Sequence, residues 1–302
     1  MDTKWLYDFI ALVENGSFTQ AADYRHSSQA AFSRRIQSLE HWVGTKLIDR
    51  SVYPVELTPD GRNLYRASLD ITNQLEDVRA DLAPSKSTQT VRIASTYVLA
   101  STNLPRWWRH WSEGTDSACV TTVGNILETT SAFTAGLTDI LISYNYPLYP
   151  AFNLEDGQYE RTVISTETLA PYGSKKLLSQ GDFMFPGSVK QPVPLLAYSQ
   201  QSYFYKVVKQ ILDESENTLH YAKTFESAMS STLSVAAQQG LGVAWLTDAS
   251  VLQDGGQELE MLDDTPGQVW SREVDVIAFI AQSNRRKHVR HIWDGICRGA
   301  QA

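Results

Sequence analysis

Residues 17–43 decide the reading of the N-terminal part. They run Ser17-Phe18-Thr19-Gln20-Ala21-Ala22, a polar turn Arg25-His26-Ser27, then Ser28-Gln29-Ala30-Ala31-Phe32-Ser33-Arg34-Arg35-Ile36-Gln37 and on to Val43-Gly44. Ser17 with Gln20 three residues later has the spacing of a capping box, which predicts a short helix opening at Phe18. Ser27 or Ser28 can cap the next helix, and Gly44 can stop it. At about 3.6 residues per turn, Phe32, Ile36, Leu39 and Val43 share one face of that second helix and must be buried. Ala30, Ser33, Arg34 and Gln37 then point outward. A small residue permits close approach, and Gln or Arg can bond two atoms of a base edge, so this face suits a major groove. Gln29 lies in the first turn, where base contacts of such helices concentrate. Arg35, Lys46, Arg50 and Arg62 are candidate phosphate contacts, which position the protein without specifying sequence.

Upstream, Trp5, Phe9, Leu12 and Val13 line one side of a first helix that ends at Gly16. Downstream, Thr58 and Pro59 mark the start of a long helix reaching about residue 83, with Pro84 ending it and Ser85-Lys86-Ser87 as a hinge. Within it Leu64, Ser68, Ile71, Leu75, Val78 and Leu82 step by fours and threes, an apolar seam that predicts pairing with a second copy. From Thr90 the chain alternates strand candidates (Val91–Ala94, Ile140–Ser143, Val193–Ala197, Val243–Leu246, Val274–Ile280) with helical stretches (Thr129–Leu137, Tyr203–Glu214, Ala228–Gln239). Such alternation predicts α/β structure with largely parallel sheets, in two subdomains.

Composition bounds the function. The 302 residues carry a net charge of -8, so any nucleic-acid contact must come from a local patch. Two cysteines, Cys119 and Cys297, make neither a disulfide framework nor a zinc cluster. The acidic N-terminus is unlike a signal peptide, and no apolar run is long enough for a membrane span, so a cytoplasmic protein is expected. Gly240-Leu241-Gly242 lacks the third glycine of a dinucleotide motif, and no hydrolase, metalloprotease or Walker pattern is present, so neither enzyme activity nor a cofactor or metal is expected. His288 and His291 have ligand spacing but sit in a basic run that opposes a cation. The competing reading is an α/β solute-binding protein or enzyme without DNA binding.

Residues 5–61 resemble the LysR-type transcriptional regulators. The resemblance is carried by Phe9, Gly16 to Ala22, Ser28 to Ile36, Leu39-Glu40, Val43-Gly44, Leu47 to Arg50 and Leu57 to Gly61; Ala30 and Ile48 depart from the usual proline and phenylalanine. It implies a winged helix-turn-helix at 1–58 with the wing near Ser51–Leu57. It also implies a dimerising linker helix and hinge at 59–87 and a two-lobed, periplasmic-binding-protein-like effector domain at 88–302. Lobe I would take about 88–163 and 267–302, lobe II about 164–266. Gly136 to Ile142 and Gly240 to Leu246 extend the likeness more weakly. The implied partners are double-stranded DNA, a small-molecule effector or oxidant, and further copies of the chain, as a dimer or tetramer. Strand ends in open α/β lobes hold ligands. Ser95, Thr96, Tyr97 and Ser101, Asn125, Ser143, and Tyr198, Ser199 and Ser202 therefore become candidate effector contacts, offering neutral donors to a small anion or polar metabolite. Thr3 to Phe9, Tyr198-Ser199 with Ser202-Tyr203, and Phe225 with Ser227-Ala228-Met229 are similar to the hypochlorite-responsive members of that family. That makes Met229 a candidate redox residue, since sulfoxide formation turns an apolar side chain polar. Trp107 and Phe204 stand where two further methionines are looked for.

Overall fold

The computed structural model describes residues 2–82, 89–146, 157–215, 218–252, 258–262 and 270–299. The proposed stop at Pro84, the hinge at 85–87 and the boundary at 266–267 lie outside them. The described residues fall into two units: residues 1–90 with 116–118 and 132–138, and residues 91–115 with 119–131 and 139–302.

The first unit begins with α1 (Thr3–Asn15), α2 (Phe18–Tyr24) and α3 (Gln29–Val43). The side chain of Asp2 accepts from Lys4 N–H and caps α1, and that of Ser28 accepts from Ala31 N–H and caps α3. The capping box at Ser17 does not form: Ser17 occupies the cap position of α2 without a side-chain bond. This seven-residue helix is held instead by Ala21 and Ala22, which are buried against its neighbours. Gly44 ends α3 with φ 84°, a left-handed turn that glycine adopts freely. β1 (Ile48–Asp49) and β2 (Glu56–Leu57) pair antiparallel as the wing. The long α4 (Pro59–Leu82) follows, and Thr58 Oγ1 accepts from Gly61 N–H at 3.0 Å. Gly61 is there for space, because a Cβ would stand 2.0 Å from the Leu47 carbonyl oxygen.

Phe9, Leu12, Phe32, Ile36, Leu39, Leu47 and Tyr65 form the core of this unit, all buried. Each such side chain contributes roughly 1.5–3 kcal/mol by leaving water. On α4, Tyr65, Leu69 and Thr72 face this core, while Ile71, Leu75 and Val78 are exposed. The helix thus splits into one covered face and one open apolar stripe.

The second unit contains two lobes. The first holds β3 (Thr90–Thr96, continuing from the first unit), α5 (Tyr97–Thr102), α6 (Leu104–Trp111), β4 (Ala118–Gly124), α7 (Ile126–Thr134) and β5 (Ile140–Asn145). β6 (Tyr159–Ser174) then runs out of it into the second lobe, made of α8 (Lys175–Gln180), β7 (Val193–Tyr198), α9 (Tyr203–Glu214), β8 (Tyr221–Ser227), α10 (Ser230–Gln238), β9 (Ala244–Leu246), α11 (Asp248–Leu252) and β10 (Leu259–Met261). β11 (Arg272–Ala281) returns to the first lobe, and α12 (Lys287–Gly299) closes it.

The sheets are mixed, not largely parallel. β3 pairs β5 and β7 pairs β8 in parallel. β11 is antiparallel to β5 and β6, and β6 is antiparallel to β9 and β10. The reason is topological: one strand leaves the first lobe and another comes back beside it, so the two must run in opposite directions. Their register shifts between Val276 and Ile277, whose partners are Ser165 and Val163, so Ile164 is the extra residue of a bulge. Trp245, Trp270 and Phe185 anchor the second lobe, with Trp245 Nε1–H donating to the Trp270 carbonyl at 2.7 Å.

Candidate nucleic-acid interface and effector cleft

On α3 the buried face is Phe32, Ile36, Leu39 and Glu40, while Val43, expected with them, is only half-buried at the helix's last turn. Gln29, Ala30, Arg34 and Gln37 are exposed and Ser33 is half-buried, as the helical spacing predicts. Among the described residues the Arg34 guanidinium has no hydrogen-bond or ion-pair partner. Gln29 and Ser33 share a concavity with Phe18, Arg50, Tyr53 and Val55, so the wing borders the same face.

The other arginines are partly committed. Arg35 Nε donates to Asp8 Oδ2, and Arg25 Nε donates to Asp8 Oδ1 at 3.0 Å. Arg50 donates to Glu40 Oε2 at 3.1 Å and lies over the Phe18 ring. Arg62 donates to the Leu57 carbonyl at 2.8 Å. Lys46 remains largely exposed, 3.5 Å from Glu40. Asp8 and Glu40, both buried, are the organising groups that sequence reasoning missed. Glu40 Oε1 accepts from Leu47 N–H at 3.0 Å and so holds the entry to the wing. The available signal was the charge itself: a carboxylate on the core side of an amphipathic helix needs donors.

The two lobes share a cleft of about 280 Å³. Thr96, Tyr97, Asn125, Ser202 and Met229 of the sequence-based candidates line it, together with Tyr203 and Phe204, which the family likeness had named without an effector role, and Glu128, Tyr144, Ser230 and Ser231, which were not among the candidates. The remaining candidates lie elsewhere. Ser95 and Ser143 are fully buried in their strands. Ser101 Oγ donates back to carbonyls of its own helix. Tyr198 and Ser199 line a separate depression on the second lobe. The periodicity that located strand ends could not say which of their side chains point to the cleft.

Among the described residues no lysine, arginine or histidine lines the cleft. Its donors are hydroxyls and the starts of α9 and α10, whose caps Ser202 and Met229 make no side-chain cap bond. Thr96 is buried, and among the described residues its Oγ1 has no hydrogen-bond partner. Asn125 and Glu128 cap α7 reciprocally, with bonds of 2.9 and 2.8 Å. Behind the cleft, Tyr144 O–H donates to Glu167 Oε2 at 3.1 Å, and Ala249 N–H donates to the same oxygen at 3.1 Å. Burial raises the Glu167 carboxyl above its ordinary range, against the lowering effect of these bonds. Tyr144, fully enclosed, is pushed well up by burial and by the neighbouring carboxylate. The thiols are not activated: burial lifts Cys119 to about 11 and also raises Cys297.

Among the described residues no helix is long and apolar enough to cross a membrane, and no group of three or more His, Cys, Asp or Glu could hold a metal ion.

A winged helix-turn-helix on a long helix, followed by two lobes around a cleft, defines an effector-responsive DNA-binding regulator. Residues 3–62 match the family described as bacterial regulatory helix-turn-helix protein, lysR family. The crystal structure of VV2_1132, a LysR family transcriptional regulator, is 31% identical over 98% of both chains, with a TM-score of 0.56. The HTH-type transcriptional regulator YjiE of Escherichia coli (strain K12) is 29% identical over 266 residues, 84% of this chain and 81% of that one. Full-length HypT of Salmonella typhimurium, described as a hypochlorite-specific LysR-type transcriptional regulator, is 27% identical, covering 100% of this chain and 99% of that one, with a TM-score of 0.58. The chain belongs to the LysR family of transcriptional regulators. Its relatives are named as regulators, and it is a DNA-binding, effector-binding, oligomer-forming protein rather than an enzyme.

Proposed function

We propose that α3 reads operator bases through Gln29, Ser33, Arg34 and Gln37, with Ala30 allowing the helix to sit close in the groove, while Arg35 and Arg50 reach phosphates. The observation that carries this reading is Arg34: an exposed guanidinium without a partner among the described residues, at the centre of a polar face whose reverse side buries Phe32, Ile36 and Leu39. The open stripe of Ile71, Leu75 and Val78 pairs α4 with its copy, so that two heads face one operator and its half-sites mirror a two-fold axis. Two such dimers complete a cytoplasmic tetramer.

The cleft takes the signal. Thr96, Tyr97, Asn125 and Ser202 hold a small anion or polar metabolite with neutral donors. A finer reading, oxidant sensing, is favoured by Met229, which lines the cleft and is partly exposed. Oxidation there would place a polar sulfoxide among Tyr203, Phe204 and Ser230, and the lobes would repack around it. Likeness to the hypochlorite-specific regulator named above points the same way.

Footprinting on the DNA upstream of the chain's own gene, with and without hypochlorite, tests both levels. Full-length protein should protect two half-sites, and Arg34→Ala should lose roughly 1–3 kcal/mol on that site and discriminate less at one base position. An equal loss on all sequences would make Arg34 a phosphate contact. Met229→Leu should keep DNA binding and lose any change in footprint with oxidant; an unchanged response removes the redox reading and leaves the regulator intact.

A further inference from the structure

We propose that Tyr53, at the tip of the wing, enters the minor groove beside each half-site as an aromatic wedge and sets a sequence preference there. This rests on the DNA-binding reading above. Tyr53 is 81% exposed, and Val52 beside it is exposed as well. These are not scattered surface apolar groups. Val52, Tyr53 and Val55 line the same concavity as Gln29 and Ser33 of α3, so the tip stands on the side of the molecule that would meet the duplex.

Charge narrows the mode of contact. Between Arg50 and Arg62 the chain has no lysine or arginine, and Glu56 is exposed. Arg50 is tied to Glu40. The tip of the wing itself, residues 51–57, thus carries no cation for the negative potential of a narrow minor groove, the usual attraction for an inserted arginine. What it offers instead is a ring. Apolar side chains inserted between base steps partly unstack and kink the duplex. Pyrimidine–purine steps yield most easily, so the preference falls on a TA or CA step at a fixed offset from the bases that α3 reads.

The test uses full-length protein and operators that it selects from a random duplex library, with 2-aminopurine placed at the flanking step. Tyr53→Phe should bind within about twofold of the parent and still brighten the probe. Tyr53→Ala should bind about tenfold more weakly, without the brightening or the step preference, and with an unchanged salt slope. Because the side chain is exposed, both variants should melt as the parent does. The wedge is overturned if Tyr53→Ala keeps affinity and step preference. It is also overturned if Tyr53→Phe loses as much as Tyr53→Ala, which would make the hydroxyl the contact, or if transcription changes while DNA affinity does not, which would make the tip a protein contact. Parent protein that selects no duplex at all sinks the DNA-binding reading, and this inference with it.

Discussion

Asp8 in the head and Asp139 in the first lobe are both buried carboxylates held by arginine, and they differ in what surrounds the arginine. Asp8 is 2% exposed, but its partners Arg25 and Arg35 are 32% and 30% exposed. Asp139 Oδ1 accepts from Arg286 Nη1 at 2.7 Å, and Arg286 is itself only 6% exposed. Asp139 Oδ2 also accepts from Arg92 N–H at 2.8 Å. A guanidinium that reaches solvent keeps donors for a second anion; one sealed on all sides can only brace the fold. The head therefore carries arginines that are oriented from within and usable from without, while the lobe spends its arginine on architecture. Glu167 adds a third arrangement, a buried carboxylate served by Tyr144 and a backbone N–H.

The largest expected effect is at the sealed pair. Asp139→Ala leaves Arg286 buried and uncompensated and should cost about 3–5 kcal/mol in chemical denaturation of the full chain. A cost near 1 kcal/mol would mean that water reaches Arg286, and the contrast between the two sites would dissolve. Asp8→Ala should cost less, about 1–3 kcal/mol, because Arg25 and Arg35 can rehydrate. It should also weaken DNA binding on all sequences alike, since Arg35 loses its brace; a normal affinity would separate Arg35 from the interface. The smallest effect concerns pH. The folded Glu167 holds its proton at pH values where the unfolded chain has released it. Stability therefore falls as pH rises from the ordinary glutamate value of 4.5 through the raised folded one. Glu167→Gln should remove that slope in melting temperature between pH 4 and 8, while leaving stability below it nearly unchanged. The same slope in both proteins would assign it to another group.

Much of the head was legible because its signals are local. A cap, a terminating glycine and four apolar residues at helical spacing define α3, and the structure buries Phe32, Ile36 and Leu39 where that spacing requires. Of the expected seam, Ile71, Leu75 and Val78 are exposed, but Ser68 is buried and Leu64 packs against the head's core, because the first half of α4 is covered by its own unit, so the open stripe is shorter than the spacing suggested. The lobes were legible as alternating elements but not as a topology. β6 escaped because Arg161 to Thr168 is mostly polar and Pro171 argues against a strand, yet its second half is buried between β9 and β10. The partners of Asp8 lie 17 and 27 residues away, and those of Glu167 lie 23 and 82 away, so no short-range pattern announces them. In the cleft, Thr96, Tyr97, Asn125 and Ser202 were found from strand ends, whereas Glu128, Tyr203 and Ser230 come from helix starts whose direction only the assembled lobes reveal.

The bulge at Ile164 has a mechanical consequence. β6 and β11 are bonded to each other along all ten residues of β11, and they are the strap by which the lobes hang together. Two strands bonded side by side resist sliding past each other, so the crossing fixes the lobes in register. The pucker at Ile164 lies where β11 is bonded on its other side to β5, so it bends the edge of the first lobe's sheet, three residues from the carboxylate that holds Tyr144 at the cleft.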